Sequence, residues 1–188
     1  MKLNHLTIGQ RLGLLATILL LATLFIGSRG LVINADGLTQ NQHIMATEKR
    51  VALSIDTARN AQVQFKIQVQ EWKNTLLRGG QGQDSFDKYK NAFVTQSQKT
   101  QALLNELATL LPQIGLDTAM VDNTRQLHAA LEAHYLSALA QYDINDPTSA
   151  QRVDKLVSGI DREPTRMIDE TVAATLKQAA LIRPHAHA

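Results

Sequence analysis

The chain has 188 residues, no cysteine, 44% hydrophobic but only 4% aromatic content, and a formal net charge of +2. Without cysteine there is no disulfide framework, thiolate metal site or cysteine nucleophile, and a chain poor in aromatics, Pro and Gly suits a helical interior built from small and aliphatic residues. Lys2, Arg11 and Arg29 all precede Gly30, leaving 16 basic against 17 acidic residues for the remainder; no basic face is concentrated there for nucleic acid.

Leu12 to Ser28 carries no charged residue and is rich in Leu, Ile, Ala and Thr. As a helix it spans about 26 Å, close to the ~30 Å of a hydrocarbon core. Leu31, Val32 and Ile33 extend the run past Arg29, whose long side chain can snorkel. An uncleaved transmembrane helix over residues 12–33 is the preferred reading. A cleaved signal peptide competes with it, although Ile26 and Ser28 make a poor small-residue cleavage site; a buried core helix is the third reading. Lys2, His5 and Arg11 place residues 1–11 on the cytoplasmic side by the positive-inside bias.

Residues 34–182 read as one helical domain, followed by a flexible tail at 183–188. The stretch from Ala58 to Gly79 organises it. Val51, Ile55, Ala58, Gln62, Phe65, Val69, Trp72 and Leu76 recur at alternating spacings of three and four, a heptad seam. Arg59, Gln64, Lys66, Gln68 and Lys73 form the opposite, polar face. Asp36-Gly37 is the weak point upstream, and Gly79, Gly80 and Gly82 end this helix. A second helix is expected over Ser85–Leu111, capped by Asp84 or Ser85, with Phe86, Tyr89, Phe93, Leu103, Leu107 and Leu110 on its seam. Pro112 and Gly115 stop it. Asp117 caps a third, with Val121, Thr124, His128, Leu131, Tyr135, Ala138 and Tyr142 buried. After a turn at Asp143–Thr148 a fourth helix is expected over Ser149–Ile182 with Val153, Val157, Ile160, Met167 and Leu176 inside. Pro164 either kinks it or starts a new segment. The fold class is all-α: an antiparallel up-down-up-down four-helix bundle with an N-terminal transmembrane helix.

No catalytic constellation is present. His128 and His134 do not share a helix face, no HExxH occurs, and the glycines after Leu77 lack the spacing and the preceding strand of a phosphate loop. Neither a metal nor a cofactor is expected, and the chain is read as a non-enzyme. His128, on the apolar seam, reads as a hydrogen-bonded core residue. Asp161, Glu163, Asp169 and Glu170 read as solvated faces. Counting down the helices puts Lys66, Glu132 and Arg162 at one level and Arg59, Arg125 and Asp169 at another. Arg59, Lys66, Lys73, Arg125 and Arg162 are therefore the candidate ligand-binding residues, suited to a carboxylate through paired donors.

Three segments resemble bacterial methyl-accepting chemotaxis proteins: Leu6-Thr-Ile-Gly-Gln-Arg-Leu12; Phe65-Lys-Ile-Gln-Val-Gln-Glu-Trp-Lys-Asn74 with Leu77-Arg-Gly79; and Gly159-Ile-Asp-Arg-Glu-Pro-Thr165. The block from Phe65 to Gly79 is the most specific. The resemblance covers the N-terminal sensory half of such receptors. It implies a periplasmic ligand-binding bundle on a single inner-membrane span, a homodimer through the first helix, and a small-molecule ligand, here an organic acid or amino acid. The second span, linker and cytoplasmic signalling half of that family do not follow Ala188. A truncated receptor, a deliberately shortened chain and a stand-alone sensory protein remain open, as does a ligand-free dimerising or partner-docking module.

Overall fold

The computed structural model describes residues 7–186, and among them every regular element is helical. Helix α1 runs Ile8–Gly79, α2 Gln83–Leu110, α3 Ala119–Leu139, α4 Ser149–Leu156 and α5 Arg162–Ala186, with a 3-10 turn at Leu111–Ile114 between α2 and α3. The chain divides into two compact units, residues 1–46 and 47–188. Lys2 and His5, invoked for the cytoplasmic N-terminus, and His187 lie outside the described residues.

In the first unit, Ile8–Leu31 is one helical segment long and apolar enough to cross a membrane, with a mean hydropathy of 1.9. It starts earlier than the apolar run because Thr7 and Gln10 cap it reciprocally: the Thr7 N–H donates to Gln10 Oε1 at 3.0 Å and the Gln10 N–H to Thr7 Oγ1 at 3.4 Å. Its Leu, Ile and Phe side chains are exposed. The hydroxyls of Thr17, Thr23 and Ser28 donate back to the carbonyls of Gly13, Leu20 and Phe25, which suits them to apolar surroundings. The backbone stays helical through Asp36-Gly37, so the expected weak point is not a break.

In the second unit, side chains from α1, α2, α3 and the α4–α5 stretch meet in two apolar clusters. One gathers Phe65, Trp72 and Leu76 with Phe93, Tyr135, Val153 and Ile168. Its centre is aromatic: Trp72 lies 4.3 Å from Tyr135 between centroids, and Phe93 meets both rings edge-on. The other gathers Val51, Ala58 and Ala61 with Leu104, Leu107, Val121 and Val172. At the junction of the clusters the buried positions turn polar: Gln68, Ser97, Thr100, Thr124, His128 and Thr171 are all within 2% of full burial.

The seam of α1 is as expected, but a second row is buried beside it. Ser54, Ala61, Gln68 and Thr75, seven apart, are enclosed together with Thr57. This corrects the placing of Gln68 on the polar face. Threonine and serine enter the core because each hydroxyl donates to the carbonyl one turn back, as Ser54, Thr75, Thr100, Thr124, Thr171 and Thr175 do. On α2 the fully buried residue is Leu104 rather than Leu103, which is only partly buried.

The helix ends also differ in detail. Helix α2 begins at Gln83 with Gly82 at its N-cap, so neither Asp84 nor Ser85 caps it; the Ser85 hydroxyl instead donates to the Arg78 carbonyl at 2.9 Å. Asp117 does act at the start of α3, accepting the Ala119 N–H at 2.9 Å. The turn after α1 is tight because a Cβ at Gly79 would lie 2.9 Å from Phe86 Cδ2 and 3.2 Å from the Tyr142 hydroxyl. Of the two readings of Pro164, the structure adopts a new segment. Helix α4 stops at Leu156, Gly159 takes φ 77°, and Pro164 falls in the first turn of α5, where no intrahelical N–H is required.

Candidate functional site

The break between α4 and α5 faces one edge of α1. Lys66, Gln70 and Lys73 lie on successive turns of that edge, and the break supplies Asp161 and Thr165. With Phe65 and Val69 they line an open cavity of about 160 Å³. The Thr165 hydroxyl donates to the Asp161 carbonyl at 2.6 Å, so its oxygen remains an acceptor toward the cavity. Lys73 also borders a second, more apolar groove of about 430 Å³, formed with Leu76, Leu77, Pro147, Ala150, Gln151 and Asp154. Tyr135 lies in the adjoining core. Burial raises its phenol pKa, and the carboxylates of Asp161 and Asp154 raise it further, so the ring stays a neutral donor.

Among the described residues Lys66, Lys73, Asp154, Asp161 and Arg162 make no ion pair. Two ammonium groups and two carboxylates thus line one edge of α1 without closing on one another. The contrast with Arg166 is direct. Glu163 and Glu170 clasp it on α5 at 2.5 Å each, which raises the guanidinium pKa and lowers that of Glu163 through the Arg166 hydrogen bond.

The five expected residues are only partly gathered. Lys66 and Lys73 share the cavity, and Arg162 lines an adjoining shallow surface with Asp161, Thr165, Arg166 and Asp169. Arg162 folds back over the α4–α5 break, its Nε 3.5 Å from where a Cβ on Gly159 would sit. Arg125 is paired instead with Asp122 on its own helix at 2.8 Å, which spends its charge locally. Arg59 is exposed on α1; one turn on, Gln62 donates to Asp169 at 2.6 Å. Sequence reasoning missed Asp161, Asp154, Gln70 and Thr165. The available signal was the seven-residue interval from Asp154 to Asp161, which spans the Gly159 break.

His128 is fully enclosed between the clusters. Its Nδ1 lies 2.7 Å from Gln101 Oε1 and its Nε2 2.9 Å from Gln68 Oε1, with Phe65 edge-on at 5.9 Å. Burial lowers its pKa to about 4, so the ring is neutral at pH 7. A neutral ring satisfies one carbonyl with its single N–H. The other glutamine must then turn its NH2 to the ring, and Gln68, whose Nε2 is buried without a partner, is the one that gains by turning. His128 is thus a hydrogen-bonded core residue tying α1, α2 and α3 together. Among the described residues no group of three His, Asp or Glu is placed to hold a metal ion.

The chain is 32% identical, over 170 residues, to the methyl-accepting chemotaxis protein CtpH of Pseudomonas aeruginosa. The match takes in 89% of this chain and 27% of the relative, so the chain spans about a quarter of the length of the curated protein it matches. No family model and no solved structure matches the chain. The chain is thus similar in sequence to a methyl-accepting chemotaxis protein, and among its described residues every regular element is helical, with one helical segment long and apolar enough to cross a membrane.

Proposed function

We propose that this chain is the membrane-anchored, periplasmic sensory region of a chemoreceptor, in which α1, α2, α3 and the joined α4–α5 stretch form an antiparallel up-down-up-down four-helix bundle. The relationship to a chemotaxis protein and the apolar Ile8–Leu31 segment support anchoring and the signalling role. A ligand-binding, non-catalytic role fits the groove: it has charged groups of both signs but no nucleophile and base in contact. In this reading Lys66 and Lys73 hold a ligand carboxylate, with Arg162 at the rim.

The observation that carries the proposal is the pair of unpartnered lysines facing an unpartnered Asp161 across one small cavity. That arrangement supports an organic acid or amino acid, and between the two it favours the amino acid, since Asp161 opposes a second carboxylate and attracts an ammonium group. Calorimetry of the full chain in detergent against a panel of polar amino acids and small dicarboxylates is the test. The reading expects binding from the panel, with polar amino acids ahead of dicarboxylates. No heat from any member, alongside binding of an uncharged solute, would defeat it.

A homodimer through α1 belongs to the same proposal. Outside the buried rows, α1 presents another three-four stripe: Leu53, Val63, Ile67 and Leu77, with Asp56, Asn60, Gln70 and Asn74 between them. Leu53 is 43% and Val63 48% exposed in the single chain, so apolar surface at heptad spacing awaits a partner. The same stripe supports the second reading, a dimerising module that binds no ligand.

A further inference from the structure

The polar layer between the two apolar clusters holds its histidine from both sides. Each ring nitrogen of His128 faces a glutamine on a different helix: Nδ1 lies 2.7 Å from the Gln101 amide of α2, and Nε2 2.9 Å from the Gln68 amide of α1. A half-turn of an amide exchanges an acceptor for a donor with almost no change of shape. The layer therefore suits the ring in either protonation state. With the ring neutral, Nδ1–H donates to Gln101 Oε1 and Nε2 accepts from the Gln68 NH2. With the ring doubly protonated, both N–H groups donate, and Gln68 presents Oε1 to Nε2.

The far end of the Gln68 amide is an oxygen in the first state and an NH2 in the second, and Ser97 is placed to meet both. Helices α1 and α2 pair in opposite directions, with Trp72 against Phe93 and Thr57 donating to Glu106. Gln68, one turn before Trp72, thus comes level with Ser97, one turn after Phe93. Both are fully buried, and Ser97 Oγ has no hydrogen-bond partner. Thr100 on the next turn differs, since its hydroxyl donates to the Gln96 carbonyl. A hydroxyl both donates and accepts, so one rotor serves either end of the amide.

The charged groups near the level of the ring are turned away from it. Lys66 on α1, Lys99 on α2, and Asp169 and Glu170 on α5 are exposed; on α3 itself Arg125 pairs with Asp122, and Glu132 is half-buried. From α5 the layer receives Thr171, whose hydroxyl lies 3.3 Å from that of Thr124. Burial is accordingly what lowers the His128 pKa to about 4.

We propose that Gln68, His128 and Gln101 form a proton-binding site with two hydrogen-bonded states that differ by a half-turn of the Gln68 amide, so that acid switches the layer between the clusters without dismantling it. The proton comes from solvent and forms one N–H bond at Nε2, and no bond breaks.

The test is nuclear magnetic resonance of the full chain in detergent micelles with 15N-labelled imidazoles, titrated from pH 7 to 3. The signals missing from His128→Gln identify the ring. At pH 7 Nδ1 carries the hydrogen and Nε2 is bare; across the titration Nε2 gains a proton while Trp72 fluorescence stays that of a buried indole. Gln68→Met removes the carbonyl that accepts from the charged ring and lowers the midpoint by about 0.5 or more, because hydrogen bonds from a charged donor are the stronger ones. Gln68→Glu places a carboxylate there and raises the midpoint by about 1 or more. A side chain that merely fills space would not move the midpoint in opposite directions. The proposal is overturned if Trp72 becomes exposed at or before the pH at which the ring protonates, or if the ring is still singly protonated at pH 3. It is overturned too if the hydrogen sits on Nε2 at pH 7, which gives the turning amide to Gln101, or if both Gln68 variants titrate like the wild type.

Discussion

Lowering the pH from 7 to 4.5 removes most of the stability that His128 contributes as a neutral core residue. Its folded-state pKa of about 4 lies below the ordinary 6.5. Between those values the unfolded chain carries the extra proton and folding must expel it. The contribution is therefore complete above pH 6.5, declines as the pH falls, and levels off once the folded ring itself protonates near pH 4. The difference between 6.5 and 4 corresponds to about 3 kcal/mol in total, close to 1.4 kcal/mol for each pH unit crossed. Asp146 and Glu163, whose carboxyls are held below their ordinary values, act alike in the wild type and in a variant at position 128, so the difference between the two proteins isolates the histidine. The assay is urea unfolding of the full chain in micelles, followed by fluorescence of the single tryptophan, Trp72, which is 2% exposed in the aromatic cluster. His128→Gln is the reference, since it keeps a polar side chain toward Gln68 and Gln101 without a group that titrates. At pH 7 the variant is less stable by about 1–3 kcal/mol, the cost of disturbing a satisfied buried hydrogen-bond network. The gap narrows as the pH falls and closes by pH 4.5. A difference between the two proteins that stays constant from pH 7 to 4.5 would refute the reasoning.

Gly79→Ala puts a methyl group 2.9 Å from the Phe86 ring, and loses about 1–3 kcal/mol by the same urea assay as the Phe86–Tyr142 stack shifts. Gly159→Ala, at φ 77°, costs about 1 kcal/mol through backbone strain and lowers the melting temperature by a few degrees. Because the chain has no native cysteine, Leu53→Cys and Val63→Cys report on the α1 stripe without background. A parallel homodimer gives rapid disulfide-linked dimers from each, whereas Asn123→Cys, exposed on α3, gives none. Equal crosslinking at all three positions would mean collision rather than a seam.

The helix order, the aromatic seam of α1 and nearly all of the α3 core were legible because they obey periodicity: apolar residues three and four apart have one way to be buried together. Gln68 was not legible. Glutamine on a helix reads as solvated surface, and only the facing His128 and Gln101, distant in sequence, give it a reason to be inside. The row from Ser54 to Thr75 was hidden for a related reason, since the carbonyl one turn back satisfies each hydroxyl and lets it behave as a small core residue. Leu103 was placed on the seam of α2, and Leu104 is buried instead because the three-four row runs from Phe93 through the small polar Ser97 and Thr100 to Leu104 and Leu107.

For the candidate site, the helical edge was readable and the opposing wall was not. Lys66 and Lys73 share an edge at seven-residue spacing. Asp161 was assigned to a solvated face because nothing in the sequence implied a cleft beside it. The positive φ at Gly159 breaks the α4–α5 stretch and brings Asp161 and Thr165 to the cavity. Arg125 was chosen by level along the bundle, and a level says nothing about Asp122, three residues away on the same helix, which pairs with it.

The central claim, that this chain is the input end of a chemoreceptor, is tested most directly by exchange. In a chimera, the chain replaces the matched segment of the Pseudomonas aeruginosa relative, and swimming cells that express it as their only receptor are scored against gradients of the acids and amino acids that bind in calorimetry. The account predicts a directional response to a bound compound, abolished in the Lys66→Ala/Lys73→Ala double variant while expression and membrane insertion persist. A chimera that is inserted and binds the compound yet gives no response, or that responds equally well without the two lysines, would contradict it.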